Sequence, residues 1–433
     1  MISLPATATL LPQEHPLATG GTLYAFPSAS TDLVKIDLTH EAGSAYQPQP
    51  LCAAAANRLF AVASDEMDAG QVAEFMDYRG IVVDHNPDIL TATTSVYLLR
   101  RYLDELLPVL RQLLLHPSFP QDHFELFQRK RRQELQASQR KTCEVARRLF
   151  YQTLFGTEHP LGRYAEPADA DRLDRDTVVR FFHERYRSRQ LIVSGNVDAE
   201  LIEKVTESLV PLQVEESKNQ KVEELISTFN FPACLQALST AESNIISEKL
   251  STFKVAVPGA VQTTLRVGRI LPLRWDSVDY ARFMILTTLL GGYFGSRLMS
   301  NLREDKGYTY GIQAHTQIYR GVIVLYITTD VAASAADAAE EEIRRELQRL
   351  CDEPVGDDEL AMVKTVLTGD FIRSVDGVFE RSERLRSMLA THVDETLTDN
   401  LRQALQTTTS AELQTLAQRL LQPQHMVYCR AGV

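Results

Sequence analysis

Apolar positions in the first half of the chain recur with two different periods. Alternation with period two, typical of half-buried strands, occurs in four segments: Gly21–Pro27, Leu33–His40, Ile81–Asp84 and Ile89–Leu98. We expect these strands to pair two by two in chain order, and we expect a closing strand at Leu191–Val197. The spacing of amphipathic helices occurs in five further segments: Ala53–Phe60, Gln71–Tyr78, 103–114, 124–135 and Thr177–Tyr186.

The second half repeats this order of elements. Strands and helices are predicted at Leu265–Ile270, Tyr280–Leu290, Gly321–Thr328, 343–350, 360–371, Ala411–Leu421 and His425–Arg430. Pro120 and Pro354 separate the two long helices of each half. We therefore predict an α+β protein with two homologous domains, residues 1–212 and 246–433, joined by a charged linker at 213–245. Each domain would be a mixed, largely antiparallel sheet with helices packed mostly on one face.

Composition restricts the classes of function. A length of 433 residues suits two domains, and a net charge of −12 disfavours nucleic acid as a partner. Because the sequence has no long apolar run, we expect no membrane span. The five cysteines are far apart, which favours neither a disulfide framework nor a cysteine zinc site. The first residues lack the charge pattern of a secretory signal or a mitochondrial presequence, so the expected compartment is the cytoplasm.

The stretch Gly291–His315 contains a cluster of glycines followed by a short helix and a strand. Gly291, Gly292 and Gly295 predict a loop with accessible main-chain groups. Ser296 is the predicted N-cap of the helix. This part of the chain is thus predicted to turn sharply beside a sheet edge.

Two polar side chains follow these glycines. Arg303 falls in the last turn of the short helix, which is predicted to stop at Lys306-Gly307, and Tyr310 falls on the next strand. A tight turn between them can bring a guanidinium and a phenol to one side, where they can hold a carbonyl or a developing oxyanion. Taken singly, the glycines could merely turn the chain and Arg303 could be a solvated charge.

This stretch resembles the C-terminal half of the insulinase-like (M16) zinc peptidases, the family that includes the mitochondrial processing peptidase. The resemblance rests on Leu302-Arg303-Glu304-Asp305-Lys306-Gly307 with Tyr310 beyond it. It implies that Arg303 and Tyr310 help to hold substrate opposite a zinc ion. The glycines before them resemble the substrate loop of the processing peptidase's non-catalytic, alpha-type subunit.

The first half resembles the same family but lacks its zinc motif. Catalytic members carry His-x-x-Glu-His on the first helix, where two histidines bind zinc and the glutamate acts as the base. The segment that follows this motif is present at Asp68–Glu74, and counting back places the motif at Ala54, Asn57 and Arg58. Between His40 and His85 the sequence contains no histidine, and most of the others are expected at the surface or in turns. Glu134 falls near the third ligand position, but without the histidines it cannot make a zinc site. We expect a structural or solvated carboxylate, with a relic of that ligand as the alternative.

The resemblance implies the non-catalytic subunit of a heterodimeric M16-type peptidase, similar also to the bacterial two-chain enzymes. This chain would bind no cofactor, and a homologous His-x-x-Glu-His subunit would bring the zinc. Arg303 and Tyr310 would complement that site, and peptides would be the substrates, with no nucleic acid or membrane involved. The alternatives are a structural core-type subunit, or a peptide-binding subunit, without a role in proteolysis. An independent metallopeptidase is disfavoured because no cluster of ligands is visible.

Overall fold

Two β-sheets, each with its own set of helices, organise the protein. The computed structural model describes residues 4, 11–17, 21–186, 190–209 and 252–433. The predicted linker, residues 213–245, lies outside this described part. The predicted α+β class, with two mixed sheets and layers of helices, is confirmed.

The first sheet contains six strands in the order β1-β2-β6-β3-β5-β4. They are β1 Gln13–Pro16, β2 Thr22–Pro27, β3 Leu33–His40, β4 Val82–Pro87, β5 Ala92–Leu99 and β6 Gln190–Gly195. The closing strand β6 is parallel to β2 and antiparallel to β3. The predicted pairing of β2 with β3 is therefore wrong, because β6 lies between them. Alternation of apolar residues identifies a strand but does not reveal which strand will pair with it.

The second sheet contains five strands in the order β7-β11-β8-β10-β9. They are β7 Thr252–Ala256, β8 Gln262–Leu271, β9 Thr309–Tyr319, β10 Val322–Ala332 and β11 Val427–Gly432. Here too the closing strand, β11, is parallel to the first strand and antiparallel to the second. The two sheets share one topology, apart from the additional β1, and this confirms the predicted repeat of element order.

Each half contributes its own set of helices. In the first half they are α1 Cys52–Leu59, α2 Ala69–Arg79, α3 Leu103–Leu115, α4 Gln121–Ser138, α5 Thr142–Phe155, α6 Pro167–Arg172, α7 Arg175–Arg185 and α8 Ala199–Leu209. In the second half they are α9 Val278–Gly291, a π-helix Met299–Asp305, α10 Ala336–Asp352, α11 Asp357–Ser374, α12 Val378–Thr391, α13 Thr396–Thr407 and α14 Ser410–Leu420. The predicted helices are present within a few residues, whereas α5, α6, α8, α12 and α13 were not predicted. Within the described ranges, no helix is both long and apolar enough to span a membrane.

One helix of each half packs on the sheet of the other half. Helix α5 of the first half packs on β8 and β11, where Phe150 joins Val324 and Cys429 in one apolar cluster. Helix α12 of the second half packs on β2 and β6, where Val378 contacts the cluster of Phe26 and Ile192. Because each helix buries apolar side chains on the opposite sheet, the two halves hold each other in a fixed arrangement.

Candidate functional site

The segment that contains Arg303 begins where helix α9 ends. Gly291 is the last residue of this helix, and the N–H of Gly292 donates to the carbonyl of Thr288 at 2.8 Å. The chain then turns and enters the π-helix Met299–Asp305, whose wider turns are frequent at functional sites. Ser296 precedes this helix, but its buried hydroxyl has no hydrogen-bond partner in the described part of the chain. The prediction that its side chain caps the helix is therefore wrong.

The three glycines of this segment serve close packing. A Cβ atom on Gly291 would lie 2.8 Å from the backbone nitrogen of Ala314 on β9, and one on Gly292 would lie 2.6 Å from the Cα of Thr288. Gly291 is helical rather than part of a loop, which corrects the prediction, and it lets α9 approach β9 closely. A Cβ on Gly295 would meet the ring of Tyr293 at 3.1 Å. The role of these glycines in admitting a peptide stays a prediction.

Gly307 ends the π-helix in the way its position predicts. Its φ of +65° lies in the left-handed region, and its Cβ direction is open, so backbone conformation alone favours glycine. The N–H of Tyr308 donates to the carbonyl of Leu302 at 2.9 Å, which closes the helix end. This turn sends the chain directly into β9, which packs against the π-helix.

Arg303 and Tyr310 lie on opposite sides of this turn. The guanidinium of Arg303 stacks over the ring of Phe294 at 4.4 Å, and it forms no ion pair within the described part of the chain. Tyr310 is 94% exposed and lies at the start of β9, where the register with β10 shifts between Thr329 and Val331. We call Phe294, Arg303 and Tyr310 the Arg303 patch. Tyr310 lies on the edge strand β9, and Arg303 lies on the π-helix that packs against this strand.

A neighbouring arginine, Arg297, is bound within the fold. Arg297 donates two hydrogen bonds to Glu359 on α11, both of 2.8 Å, and its side chain is only 10% exposed. Such a bidentate pair ties the segment to α11. Arg303 makes no comparable contact with the residues that the structure describes, so its guanidinium is available to a ligand.

In the first half, the residues at the zinc-motif positions serve the fold instead. Asn57, at the position of the base, is fully buried, and its Nδ2 donates to Thr94 Oγ1 on β5 at 3.3 Å. Ala54 offers no ligand atom, and Arg58, one turn later on the same face of the helix, is exposed. Across the described ranges, no group of three or more His, Cys, Asp or Glu residues could hold a metal ion. Zinc does not fit the residues of this half.

Glu134 lies close to the place that the resemblance implies, but its charge is already balanced. Glu134 and Ala54 line the same cleft. The Glu134 carboxylate is 60% exposed and accepts a hydrogen bond of 2.8 Å from Arg131, one turn earlier on α4. The carboxylate thus already has a positively charged partner on its own helix.

Two histidines near α1 are more buried than the sequence indicates. His40 packs against the ring of Tyr186, with ring centroids 4.5 Å apart, and in the described part of the chain neither ring nitrogen has a hydrogen-bond partner. Burial lowers the pKa of His40 to about 3. Burial and the nearby charge of Arg58 lower the pKa of His85 to about 4. Both side chains are neutral at pH 7. His40 is an exception to the expectation of surface histidines, because β3 is buried on both faces along nearly its whole length.

Comparison with known proteins finds a family match for the middle of the chain. The family described as "Peptidase M16 inactive domain" matches residues 172–367. The "Probable inactive metalloprotease YmfF" of Bacillus subtilis (strain 168) is 22% identical over 167 residues, which are 38% of this chain. The match covers 39% of that protein's length, so its activity and partners as a whole do not transfer directly.

Solved structures share the fold over the whole chain. A peptidase M16 inactive domain from Pseudomonas fluorescens has a TM-score of 0.78 at 17% identity, covering 97% of this chain and 98% of that one. A protease from Helicobacter pylori has a TM-score of 0.81 at 16% identity, covering 98% and 100%. Residues 172–367 thus match the family of M16 inactive domains, and the fold around them is the one these solved structures share.

Proposed function

We propose that this chain is the non-catalytic subunit of a heterodimeric M16-type zinc metallopeptidase. Its partner would be a homologous chain with His-x-x-Glu-His and zinc, and this chain would contribute half of the peptide chamber. The observation that carries the proposal is the Arg303 patch, whose arginine lacks a carboxylate partner in the described residues and whose tyrosine is almost fully exposed.

The chemistry of the patch suits a peptide carbonyl. The Arg303 guanidinium offers a rigid fork of N–H donors, and the Tyr310 hydroxyl offers one more. The ring of Phe294 limits the orientations of the guanidinium by stacking beneath it. Donors held in place in this manner stabilise a carbonyl oxygen most when it gains negative charge.

The first half supports a division of labour between two chains. The amide of Asn57 cannot accept a proton from water as a carboxylate can, and Ala54 and Arg58 provide no metal ligand. Water activation would therefore have to come from the partner. This chain's own residues would bind the peptide, orient it and enclose it.

The test measures cleavage of a mixed peptide library by the purified chain, alone and together with a His-x-x-Glu-His homologue. We expect cleavage that requires the homologue and is at least about tenfold faster with this chain present than with the homologue alone. Cleavage by this chain alone, abolished by a chelator, would contradict the assignment. If the two chains bind each other without any gain in cleavage, a structural core-type subunit would be the better description. If they do not bind and the lone chain binds peptides, it would be a peptide-binding protein.

A further inference from the structure

A buried amide joins the π-helix that carries Arg303 to helix α10. Asn301 precedes Arg303 by two residues, and its Nδ2 donates to Glu342 Oε2 at 3.0 Å and to Glu346 Oε1 at 2.7 Å. Both glutamates belong to α10, and they are only 7% and 4% exposed. Hydrogen bonds to carboxylates are about twice as strong as those between neutral groups. We call Asn301, Glu342 and Glu346 the Asn301 clamp.

The two glutamates need the amide between them. Like charges four residues apart on one helix repel each other, and removal from water makes each charge more costly. Glu342 also pairs with Arg345, whose Nη1 lies 2.8 Å from its carboxylate. Glu346 has no ion pair within the described part of the chain, where Asn301 is its hydrogen-bond donor. Because a buried carboxylate without its donor is costly, the Asn301 side chain is held in this place.

The main chain around Asn301 is fixed as well. Its carbonyl accepts a hydrogen bond of 3.0 Å from the N–H of Lys306, five residues later, in the pattern of a π-helix. Leu302, the next residue, is fully buried in the apolar core of the second half. A shift of the π-helix along α10 would therefore break the clamp and disturb the packing of Leu302.

Arg303 lies on another face of this helix. Side chains two positions apart on a helix do not face each other, and the Arg303 guanidinium stacks over Phe294. The π-helix is thus bound to α10 through Asn301 and presents Arg303 on a different side. A group that is already in place loses little freedom on binding, whereas a displacement of about 1 Å can cost about 10²-fold in rate.

We propose that Asn301 is a positioning residue for Arg303. Its two hydrogen bonds to α10 fix the π-helix, and the helix fixes the point from which the guanidinium reaches a peptide carbonyl. Asn301 acts through Arg303 and makes no contact with the peptide itself. This inference rests on the proposed function and extends it to residues outside the Arg303 patch.

Three variants test the clamp. Asn301→Asp is nearly isosteric, but it places a third carboxylate against the two glutamates. Adding Glu346→Gln to it exchanges donor and acceptor, because the new amide can donate to the new carboxylate. Gln348→Glu is the matched control, since Gln348 Nε2 donates to Asp352 at 2.8 Å on the exposed side of α10, where water screens the added charge.

Hydrogen–deuterium exchange of the full chain, measured without a partner, reports on the clamp directly. In Asn301→Asp we expect the amides of Met299–Asp305 to exchange at least about tenfold faster, and in the double variant we expect most of the protection to return. Gln348→Glu should leave this segment unchanged. Unchanged exchange in Asn301→Asp would overturn the proposal. If Asn301→Asp does not fold, Asn301→Ala removes the same donor without adding a charge and gives the same comparison.

Peptide cleavage by the two-chain complex tests the consequence for Arg303. A displaced guanidinium should lose contact mainly with the transition state, so we expect Asn301→Asp to lower kcat by at least about tenfold with less than about a twofold change in KM. The double variant should recover most of kcat, and Gln348→Glu should keep the original value. An equal loss in the double variant would overturn the proposal, because the exchanged pair would not restore the position.

Arg303→Ala, measured in parallel, separates this inference from the proposed function. If Arg303→Ala slows cleavage and Asn301→Asp does not, positioning by the clamp is overturned while the proposed function stands. If Arg303→Ala itself leaves cleavage unchanged, the proposed role of Arg303 fails first, and positioning by Asn301 falls with it. A loss of kcat in both variants, with recovery only in the exchanged pair, is the expected result.

Discussion

The resemblance to M16 peptidases places Asn57 of the first half and Tyr310 of the second half at positions that act on substrate. The surroundings of the two residues are opposite. Asn57 is fully buried and bonded to Thr94, whereas Tyr310 is almost entirely exposed at a sheet edge. A buried polar group with a partner contributes to stability, and its removal leaves the partner unsatisfied. An exposed phenol and a stacked arginine contribute little. The first site has thus become part of the core, while the second is still available to a ligand.

The largest effect is expected from Arg303→Ala in the two-chain complex. Removing a donor that stabilises developing charge should lower kcat/KM by about 10²–10³-fold, without loss of zinc from the partner. Lys306→Ala, a nearby exposed charge, serves as the matched control and should change the rate less than about twofold. An unchanged rate in Arg303→Ala would remove the proposed role of the patch and, with it, the contrast with Asn57.

Acid should destabilise the first half through His40. Its folded pKa of about 3 lies below the ordinary value of 6.5, so the unfolded chain binds the extra proton and stability falls as pH drops from 6.5 towards 3. For this residue, the loss between pH 7 and pH 4 should be about 3 kcal/mol. His40→Phe keeps a ring against Tyr186 but cannot titrate, so denaturant unfolding at several pH values should show a shallower dependence. An identical pH profile in this variant would show that His40 is not neutral and buried. Titration of His85 should account for part of the pH dependence of stability that remains in His40→Phe.

Arg297→Ala and Arg303→Ala should differ in their effect on the free energy of unfolding. Loss of its bidentate contact leaves Glu359 without that partner, and the free energy of unfolding should fall by about 1–3 kcal/mol. Arg303→Ala should change it by less than about 0.5 kcal/mol, because in the described part of the chain it breaks no ion pair. Thermal unfolding of the two variants measures the difference. Equal destabilisation would mean that Arg303 is also committed to the fold.

The smallest effect is expected at the former base position. Asn57→Ala removes the donor to Thr94 and should reduce stability by about 1 kcal/mol, with no effect on the activity of the complex. Arg58→Ala, at the adjacent exposed residue, is the control and should be neutral. If Asn57→Ala impaired cleavage without affecting stability, the first site would still take part in the chemistry.

The positions of most strands and long helices could be predicted, since each pattern is local. β3 begins and ends at Leu33 and His40 as the alternation indicates. Helix α5 was not predicted, although it carries Phe150 and Tyr151, because its apolar face packs on the sheet of the other half. The order of strands also escaped prediction, because β6 enters the sheet between two strands that are neighbours in sequence.

The features of the candidate site could likewise be predicted only in part. The stop at Gly307 followed from a residue type and its neighbours, and its φ of +65° agrees with that reasoning. The role of Gly291 did not follow, because it depends on Ala314 of β9, which folding brings against the end of α9. Its missing Cβ reflects close packing rather than an unusual backbone angle.

By itself, the sequence determined where strands and helices form, that the first half has no histidine pair for zinc, and that Arg303 and Tyr310 flank a tight turn. These properties depend on residue types and short spacings. Only the tertiary structure decided that Arg297 is bound to Glu359, whereas Arg303 has no ion-pair partner among the residues described, although both arginines belong to one short segment. The physical reason is that the partner of Arg297 lies 62 residues away along the chain. Which of two similar charges is satisfied therefore depends on what folding places beside it.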